Sequence, residues 1–396
     1  MKLENGHMEM IKVLIIDDSS VIRQIIKASL ADCSQIKVVG EAENPFVARD
    51  LIKKLNPDVL TLDVEMPKMD GITFLTNLMR LRPMPVIMLS TLTTKGADIT
   101  LQALELGAID FIAKPSVEEL IAIRSSFGEV LINKIIQAAQ IDQKNFKLSD
   151  AIHNSADMQS SDIHRESSST GNFQEQSMSS PILPFSGVKE SKHIVAIGAS
   201  TGGTDAIKKI LITLPKNAPA VVIALHIPKT FSLRFAERLN RCCQVEVHEA
   251  MHGQKIKQGH VYIAPGDRHL EVVTKGDALF CTLTDTPEVN RHKPAVDVLF
   301  NSLEGNAKNT QAILLTGMGQ DGAQGMLHLK KLGARTIIQD KASSLIWGMP
   351  GKAYAISAHS QQAPLLNIAH EILSYASLSQ LAMQQTLAKY IMEKEV

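Results

Sequence analysis

A serine follows a run of small apolar residues in "IVAIGASTGGTDAI", residues 194–207. The apolar run predicts a buried strand, and the glycines after the serine predict a sharp turn into a helix. Residues 198–202 read G-x-S-x-G, a pattern that places a nucleophilic serine on a strained strand-to-helix turn. Three interpretations of Ser200 are open: a nucleophile, the N-cap of the next helix, or part of a loop that cradles a phosphate. The fragment alone does not choose between them.

A serine hydroxyl needs a base and an orienting acid to act as a nucleophile. His226 ends the apolar run "AVVIALH", so we expect it at the same sheet edge as Ser200. Asp321 follows "ILLTGMGQ", where it is either the acid or the N-cap of the next helix. The glycine-flanked turn at Met318 is expected to expose backbone N–H groups that stabilise an oxyanion. Three other histidines fall in predicted loops or helices and are not chosen: His269, His292 and His328.

The chain order of these candidates is serine, histidine, aspartate. An α/β-hydrolase has the order serine, acid, histidine. We therefore do not expect that fold, despite the G-x-S-x-G pattern. The same catalytic geometry arises on unrelated folds in any chain order, so the order does not count against a serine nucleophile.

A second set of polar residues lies at the ends of strands predicted near the N-terminus. Asp17 and Asp18 end the first strand, Asp63 the third, Ser90 the fourth and Lys114 the fifth. Three carboxylates at one edge repel one another unless a cation lies among them, and Mg²⁺ takes such hard oxygen ligands. A lysine and a hydroxyl there would hold a small anion, and Asp63 would accept a phosphoryl group. The alternative, helix caps and a surface lysine, is disfavoured because such residues recur at successive strand ends.

Both sets of residues need sheet edges to position them, and the chain predicts two parallel sheets. Short continuous apolar runs alternate with helical stretches on both sides of a polar segment, which is typical of parallel strands covered on both faces. We predict an α/β protein with two doubly wound parallel-sheet domains. Ligands bind such sheets outside the carboxyl ends of the strands. The predicted parts are a first domain at 10–134, a flexible linker at 135–190, a second domain at 191–380 and a tail at 381–396.

Composition limits the class of protein. The 396-residue chain carries no formal net charge, which disfavours a protein that mainly binds nucleic acid. Its four cysteines lack C-x-x-C spacing and predict no disulfide framework. We see no signal peptide and no apolar run long enough to span a bilayer, so we expect a cytoplasmic protein that is not inserted in the membrane. The Ser-rich linker predicts a flexible connection with a reach of roughly 35–40 Å.

The first domain resembles the receiver domain of two-component response regulators, a flavodoxin-like fold. The resemblance is carried by "IIDDSSVIR", "LTLDVEMPKMDG", "PVIMLS" and "GAIDFIAKPS". It implies that a histidine kinase phosphorylates Asp63. It places Ser90 and Phe111 at the switch positions and Lys114 at the phosphate-contacting position. It also implies a Mg²⁺ site, formed by Asp17, Asp18, Asp63 and the backbone carbonyl of Glu65.

The second domain looks like the catalytic domain of the bacterial chemotaxis protein-glutamate methylesterases, a Rossmann-like three-layer fold. The matching stretches are "AIGASTGGTDAI", "LHIP", "YIAPGDRH", "VNRHKPAVDVLF" and "LTGMGQDGAQGM". The resemblance implies that Ser200 is the nucleophile, His226 the base and Asp321 the acid. Thr201 and Met318 match neighbouring active-site positions, Met318 through its backbone N–H. "APGDRH" and "NRHKP" match without an evident chemical role, and the linker is longer than is usual in the family.

The two resemblances together imply a phosphorylation-activated hydrolase. It would demethylate glutamate methyl esters on chemoreceptors and deamidate certain glutamines, with a chemotaxis histidine kinase as phosphodonor and no cofactor for the esterase. In this view the unphosphorylated receiver covers the active-site edge and phosphorylation relieves the inhibition. Three alternatives are weaker: a transcriptional regulator, for which no helix-turn-helix pattern follows the linker; a non-catalytic scaffold; and a nucleotide-binding loop at "GASTGG", which lacks G-x-G-x-x-G and G-K-[ST].

Overall fold

The computed structural model describes residues 10–66, 69–91, 93–114, 124–141, 183, 185 and 193–377. The chain divides into two compact units, Met1–Gln176 and Ser177–Val396. The division falls inside the predicted linker; most of that linker and the predicted tail at 381–396 lie outside the described residues. In the part of the chain that is described, no helix is long and apolar enough to cross a membrane.

The first unit contains a five-stranded parallel sheet with the strand order β2-β1-β3-β4-β5, and this confirms the predicted fold class for this unit. Its strands are β1 Ile11–Ile16, β2 Ile36–Ala42, β3 Val59–Asp63, β4 Val86–Ser90 and β5 Asp110–Ala113. Its helices are α1 Ser20–Leu30, α2 Pro45–Leu55, α3 Gly71–Leu81, α4 Thr94–Glu105 and α5 Arg124–Ala138. Helix α5 continues beyond the predicted end of the domain at residue 134.

Local sequence explains where the helices of this unit begin. Each of four helices follows a polar residue whose side chain accepts a backbone N–H of the first turn, which is the usual N-cap arrangement. These caps are Ser19, Asn44, Asp70 and Thr93. The aspartates singled out at the strand ends are therefore not the caps of these helices, and their carboxylates are available for other interactions.

The second unit contains a seven-stranded parallel sheet with the order β14-β13-β12-β6-β7-β9-β8, and a separate antiparallel hairpin β10-β11. The strands are β6 Ile194–Ala199, β7 Ala220–Leu225, β8 Glu246–Glu249, β9 His260–Ile263, β10 His269–Lys275, β11 Ala278–Thr284, β12 Thr310–Leu314, β13 Arg335–Gln339 and β14 Gln361–Ala363. The helices are α6 Gly203–Leu211, α7 Lys229–Cys242, α8 Val296–Asn301, α9 Ala323–Lys331 and α10 Met349–Ala355. Residues 368–377 are also helical.

Three elements of the second unit differ from the sequence prediction. Strands β8 and β14 were not predicted, because they are short edge strands with few apolar residues. The hairpin β10-β11 was not predicted either. As a result the placement of His269 in a loop or helix is wrong: it is the first residue of β10 and is fully buried.

The strand order brings three carboxyl ends together in the middle of this sheet. Strand β6 lies between β7 and β12, with Ala199 paired to Leu225 and Gly198 paired to Leu314. After β6 the chain builds one half of the sheet, beginning with β7. The other half, beginning with β12, is built on the opposite side of β6, so the strand order reverses beside β6 and forms a topological switch point. Ligands of doubly wound sheets bind at such points. Residues that directly follow these three strands therefore face one crevice.

Candidate functional site

Ser200 lies on a tight turn immediately after β6. Its backbone N–H donates to the Thr316 carbonyl at 3.1 Å, and its own carbonyl accepts from the Gly203 N–H at 2.7 Å. The next helix, α6, has Gly202 as its N-cap, in the left-handed region at φ 76°, and no side chain caps it. Ser200 is thus not the N-cap, contrary to one of the three interpretations drawn from the sequence.

Glycines allow neighbouring segments to pack directly against this turn. A Cβ atom at Gly317 would lie 2.8 Å from the Ser200 Cβ and 2.9 Å from the Ser200 nitrogen. A Cβ atom at Gly198 would lie 2.2 Å from a methyl group of Val296 at the start of α8. Both distances are shorter than van der Waals contact, so only glycine permits the approach. The glycines bring the loop after β12 and helix α8 against the serine.

His226 directly follows β7 and lies beside the serine turn. Its backbone N–H donates to the Ala199 carbonyl at 3.2 Å, which ties it to the residue before Ser200. Its Nε2 atom lies 2.9 Å from Asp321 Oδ2, and the two side chains are 7% and 1% exposed. Its Nδ1 atom is buried and has no hydrogen-bond partner among the described residues. Because Nε2 faces a carboxylate, we assign the proton to Nε2 and a free lone pair to Nδ1.

Asp321 is held by several donors besides His226. The carboxylate accepts hydrogen bonds from Asn290 Nδ2 and from three backbone N–H groups, of Val296, Asp297 and Gly322, at 2.6–3.1 Å. Burial raises the pKa of this carboxyl, but the hydrogen bond and charge of His226, with the donors around it, hold the pKa below its ordinary value. The N-cap of α9 is Gly322, so Asp321 does not cap that helix. It is a buried carboxylate whose lowered pKa favours the ionised form, in contact with His226 Nε2.

A second buried carboxylate, that of Asp297, lies beside Asp321 and was not found from the sequence. It accepts from the Gly325 N–H at 2.7 Å and from Asn290 Nδ2 at 2.8 Å. Burial raises the pKa of Asp297, and the nearby charge of Asp321 raises it further. Asn290 thus donates to both carboxylates. No sequence signal shows this, because the residues come from separate parts of the chain.

The motif "NRHKP" contributes a ring to the site. The imidazole of His292 stacks on that of His226, with ring centroids 3.6 Å apart and planes 12° apart. His292 was set aside in the sequence analysis, since nothing in its local sequence distinguishes it. The stack restricts the orientation of the ring that faces Asp321.

The motif "APGDRH" also has a positioning role. His269 Nε2 lies 3.1 Å from the Pro287 carbonyl, and its Nδ1 accepts from the Ala295 N–H at 3.1 Å. These two contacts hold both ends of the loop that carries Asn290 and His292. The fully buried His269 therefore supports the site without belonging to it.

Thr201 and Met318 lie on the two turns beside the serine. The carbonyl of Thr201 accepts from Thr316 Oγ1 at 3.1 Å, which joins the turn after β6 to the strand end of β12. Met318 is half-buried and precedes Gly319, which is in the left-handed region at φ 85°. The Met318 backbone N–H makes no hydrogen bond to any residue that the structure describes. It is thus a donor without an internal partner near the serine.

The first unit has a separate charged cluster at the carboxyl ends of β1, β3 and β5. Lys114 Nζ lies 2.7 Å from Asp17 Oδ2 and 2.8 Å from Asp63 Oδ1. Oxygens of Asp17, Asp18 and Asp63 lie within 4.8 Å of one another. Burial raises the pKa of Asp63 to about 6; Lys114 opposes this rise and Asp17 adds to it. One ammonium among three carboxylates leaves negative charge in excess, which fits a divalent cation.

The cluster opens into a cleft of about 920 Å³ that includes Asp18, Asp63, Glu65 and Lys114 among its lining residues. Glu65 contacts the cluster through its backbone N–H, which donates to Asp63 Oδ1 at 3.2 Å. The cleft is also lined by Thr91 and Lys95, which the sequence analysis did not single out.

The two predicted switch residues do not line this cleft. Ser90 is fully buried, and its hydroxyl lies within hydrogen-bond distance of the carbonyls of Thr91 and Gly96, at 3.2 and 3.3 Å. Phe111 is buried at the next strand, β5. The structure therefore brings Asp17, Asp63 and Lys114 into direct contact but leaves Ser90 and Phe111 outside the cleft.

Comparisons with known proteins agree with the two-unit division. The profile of the family described as CheB methylesterase matches residues 195–372, and that of the response regulator receiver domain matches residues 13–124. Protein-glutamate methylesterase/protein-glutamine glutaminase 2 of Xanthomonas oryzae pv. oryzae is 45% identical over 93% of this chain and 98% of its own length. Protein-glutamate methylesterase/protein-glutamine glutaminase of Photorhabdus laumondii subsp. laumondii is 46% identical over 94% of this chain and 99% of its own length. The crystal structure of the Thermotoga maritima CheB methylesterase catalytic domain is 34% identical, covers 47% of this chain and 99% of that chain, and has a TM-score of 0.46.

Proposed function

The chain belongs to the CheB methylesterase family, and from this membership we propose that it hydrolyses glutamate methyl esters on the cytoplasmic part of chemoreceptors. The products are glutamate and methanol, and certain receptor glutamines are deamidated by the same route. One observation carries the proposal: beside Ser200, the Nε2 of His226 is held by Asp321 while its Nδ1 has no partner among the described residues. A histidine with one ring nitrogen held by a carboxylate and the other unprotonated can accept the proton of a serine hydroxyl.

In the acylation step, Ser200 Oγ attacks the ester carbonyl and its proton passes to His226 Nδ1. The ionised Asp321 stabilises the imidazolium that forms and keeps its own negative charge. When the tetrahedral intermediate collapses, the bond from carbon to the methoxy oxygen breaks. The proton on Nδ1 passes to that oxygen, so methanol leaves and the glutamyl group remains on Ser200.

In the deacylation step, water takes the place of methanol. His226 Nδ1 accepts a proton from the water as its oxygen attacks the acyl carbon. The bond to Ser200 Oγ then breaks, the proton returns to that oxygen, and glutamate is released. For a glutamine substrate the first leaving group is ammonia, and the second step is the same.

Backbone donors stabilise the oxyanion in both steps. The Met318 N–H is supported for this role by its place after Gly317, which packs on Ser200, and by its lack of a partner in the described structure. Thr201 lies on the turn directly after the nucleophile, and we place it beside the oxyanion as well. Donors that are already oriented stabilise developing charge without reorganisation, which is often the largest single contribution to catalysis.

His292 acts as a positioning residue. Its ring covers one face of the His226 ring, so rotation of His226 away from Asp321 would break the stack. Stacked aromatic pairs contribute about 0.5–1.5 kcal/mol. We therefore assign to His292 the role of restricting the rotation of the His226 ring.

The first unit regulates this reaction through phosphorylation of Asp63 by a chemotaxis histidine kinase. Asp17, Asp18 and Asp63 would hold Mg²⁺, which when bound neutralises charge on the transferred group. The backbone carbonyl of Glu65 is assigned as a further ligand from the family resemblance alone. The Asp63 carboxylate accepts the phosphoryl group. Lys114, now paired with two carboxylates, is close enough to contact its oxygens.

The phosphorylated receiver relieves inhibition of the esterase. Ser90 and Phe111 are the residues assigned to the switch. Both are buried, Ser90 at the end of β4, which pairs with β3, and Phe111 on β5, which pairs with β4. The phosphoryl group on Asp63 acts as a ligand of the receiver does: it shifts the population of protein molecules from the inhibited to the active conformation. Phosphorylation then changes the rate of methanol release, not its chemistry.

The test is methanol release from methylated receptor membranes, with and without acetyl phosphate. Release that depends on Ser200 supports the esterase, and a rise with acetyl phosphate supports the regulation. Release that is unchanged by acetyl phosphate would keep the enzyme and reject the regulation. No release under either condition would reject the esterase and favour a non-catalytic scaffold.

A further inference from the structure

Three metal-ligating side chains lie together on strands β8 and β9, apart from both sites already discussed. Glu246 and His248 are on β8, and His260 begins β9. Glu246 and His260 are the first residues of parallel strands, so they lie toward the amino edge of the sheet. Ser200 and His226 follow the carboxyl ends, at the opposite edge. The cluster is therefore not part of the esterase machinery.

The register of the two strands explains why the three side chains meet. Glu246 is paired directly with His260, and His248 lies two residues along β8 on the same face. Val247, between them, points to the other face and is 4% exposed. Strand β8 is the edge strand of the sheet, and no further strand among the described residues adjoins it.

The distances between the potential ligand atoms match those around a small metal ion. His248 Nε2 lies 3.0 Å from His260 Nδ1, and Glu246 Oε2 lies 3.6 Å from His260 Nδ1 and 3.9 Å from His248 Nε2. A tetrahedral zinc ion with ligands at about 2.0–2.2 Å separates its ligand atoms by about 3.3–3.6 Å. The three observed distances bracket that range. The exposed Glu246 side chain can shorten its two distances, and the two imidazole nitrogens need to separate by only about 0.3 Å to reach the range for zinc.

The chemistry and exposure of the cluster also suit a divalent metal ion. Two imidazole nitrogens and one carboxylate oxygen form a mixed N/O ligand set, which zinc accepts. The two imidazoles are partly buried, with side chains 33% and 21% exposed, so their rings are supported, whereas the Glu246 side chain is 67% exposed. Solvent can thus reach a fourth coordination position.

We propose that Glu246, His248 and His260 form a zinc site with three protein ligands and one position for water. The ion cross-links β8 to β9, and so stabilises the sheet at the edge where the described part of the chain supplies no further strand. The alternative is that the two imidazoles only hydrogen-bond to each other, and the experiment below separates the two.

The experiment is a competition titration of Zn²⁺ against a chromophoric chelator, with the untagged, EDTA-treated full chain. Excess Mg²⁺ competes with zinc for the acidic cluster of the first unit, and any zinc that still binds there is bound equally by the unaltered chain and by variants of the second unit. We expect one zinc equivalent bound by the unaltered chain, and an affinity at least about 100-fold weaker in His260→Ala, since even residues that only support ligands contribute about 10–100-fold. Glu246→Gln, which keeps the size of an exposed side chain, should also weaken binding.

The matched control is His328→Ala. His328 Nε2 also pairs with a glutamate, Glu304, at 3.1 Å, but the described structure shows no second imidazole with that pair. Its removal should leave zinc binding unchanged. An equal loss of binding in this control and in His260→Ala would overturn the proposal, because it would show non-specific binding by surface histidines.

Co²⁺ supplies a second readout, since a four-coordinate cobalt ion has a strong visible absorption that the hydrated ion lacks. We expect this absorption in the unaltered chain and its loss in His260→Ala. Thermal unfolding in EDTA shows whether each variant is folded, and added zinc should raise the midpoint of the unaltered chain more than that of the variants. If His260→Ala does not fold, zinc affinity and cobalt absorption are compared between the unaltered chain and Glu246→Gln instead. Zinc affinity and cobalt absorption unchanged in the folded variant would reject the site and leave only the histidine–histidine hydrogen bond.

Discussion

Each of the two units places a buried aspartate at the carboxyl edge of a parallel sheet, and the two aspartates are held in opposite ways. Asp63 shares one lysine with Asp17, and burial raises its pKa to about 6. Asp321 is equally buried, but four neutral donors and His226 hold its pKa below the ordinary value. Burial alone therefore does not decide the charge of a carboxylate.

The difference corresponds to the two proposed roles. A carboxylate that must react needs an oxygen whose lone pairs are not all taken by hydrogen-bond donors. Asp63 lies beside other carboxylates and accepts from few hydrogen-bond donors. A group that must orient a base needs a fixed position and a permanent charge, and the donors around Asp321 provide both. Substitution of Asp63 should therefore change the stimulation by acetyl phosphate, and substitution of Asp321 should change the rate of methanol release itself.

The largest effect is expected from Ser200→Ala. Removal of the nucleophile should reduce methanol release by about 10⁴-fold or more, because residual catalysis comes only from the oxyanion donors and binding. The phosphorylation of Asp63 by acetyl phosphate, measured on the same preparation, should be unchanged. Release within tenfold of the unaltered enzyme would remove Ser200 from the mechanism.

Asp321→Asn should reduce kcat by about 10³–10⁴-fold. The amide keeps the shape of the side chain but can donate to His226, so that the wrong nitrogen of the ring carries the proton. The measurement is the rate of methanol release at saturating receptor. A normal rate in this variant would mean that the 2.9 Å contact does not orient the base.

Asp63→Asn should abolish stimulation by acetyl phosphate and leave the unstimulated rate intact. Coupling between two sites is typically about 5–150-fold, and that whole increment should be lost. The comparison with Asp321→Asn is direct, since the same substitution at the other aspartate lowers both rates. Stimulation that survives in Asp63→Asn would place the phosphorylated residue elsewhere.

His292→Ala should lower kcat by about 2–12-fold, which corresponds to the loss of one aromatic stack. A positioning role further predicts that the acid limb of the pH–rate profile moves, and that His292→Phe, which retains a flat ring, recovers most of the rate. His328→Ala is the control for loss of a histidine elsewhere in the unit. An unchanged pH profile together with a lower rate would indicate a purely structural role for His292.

A separate prediction concerns the free energy of unfolding in the absence of Mg²⁺ and not a reaction rate. The folded protein raises the pKa of Asp63 from 3.8 to about 6, so between these values the folded state binds more protons than the unfolded state. Stability contributed by this group is thus present below about pH 4 and is lost as the pH rises to about 6, by at most about 3 kcal/mol. Asp63→Asn should remove this part of the pH dependence and stabilise the first unit at pH 7. Denaturant unfolding in EDTA at pH 5 and pH 7 measures it, and equal stability of the variant and the parent at pH 7 would contradict it.

The prediction of two parallel α/β sheets from sequence is confirmed, and its errors have physical causes. Strands buried on both faces are continuous apolar runs, so β6, β7 and β12 are visible in the sequence. The edge strands β8 and β14 bury few residues and leave no such pattern. The assigned roles of Ser200, His226 and Asp321 stay predictions, now with a geometry that suits them.

The sequence by itself determined which residues follow the ends of the buried strands, because hydrophobic periodicity and glycine positions are local properties of the chain. It therefore indicated Ser200, His226 and Asp63. Only the tertiary structure decided which nitrogen of His226 faces Asp321, that His292 stacks on that ring, and that Glu246 meets two histidines. These contacts join residues that are far apart in sequence, and they follow from strand order and register, which no local pattern specifies.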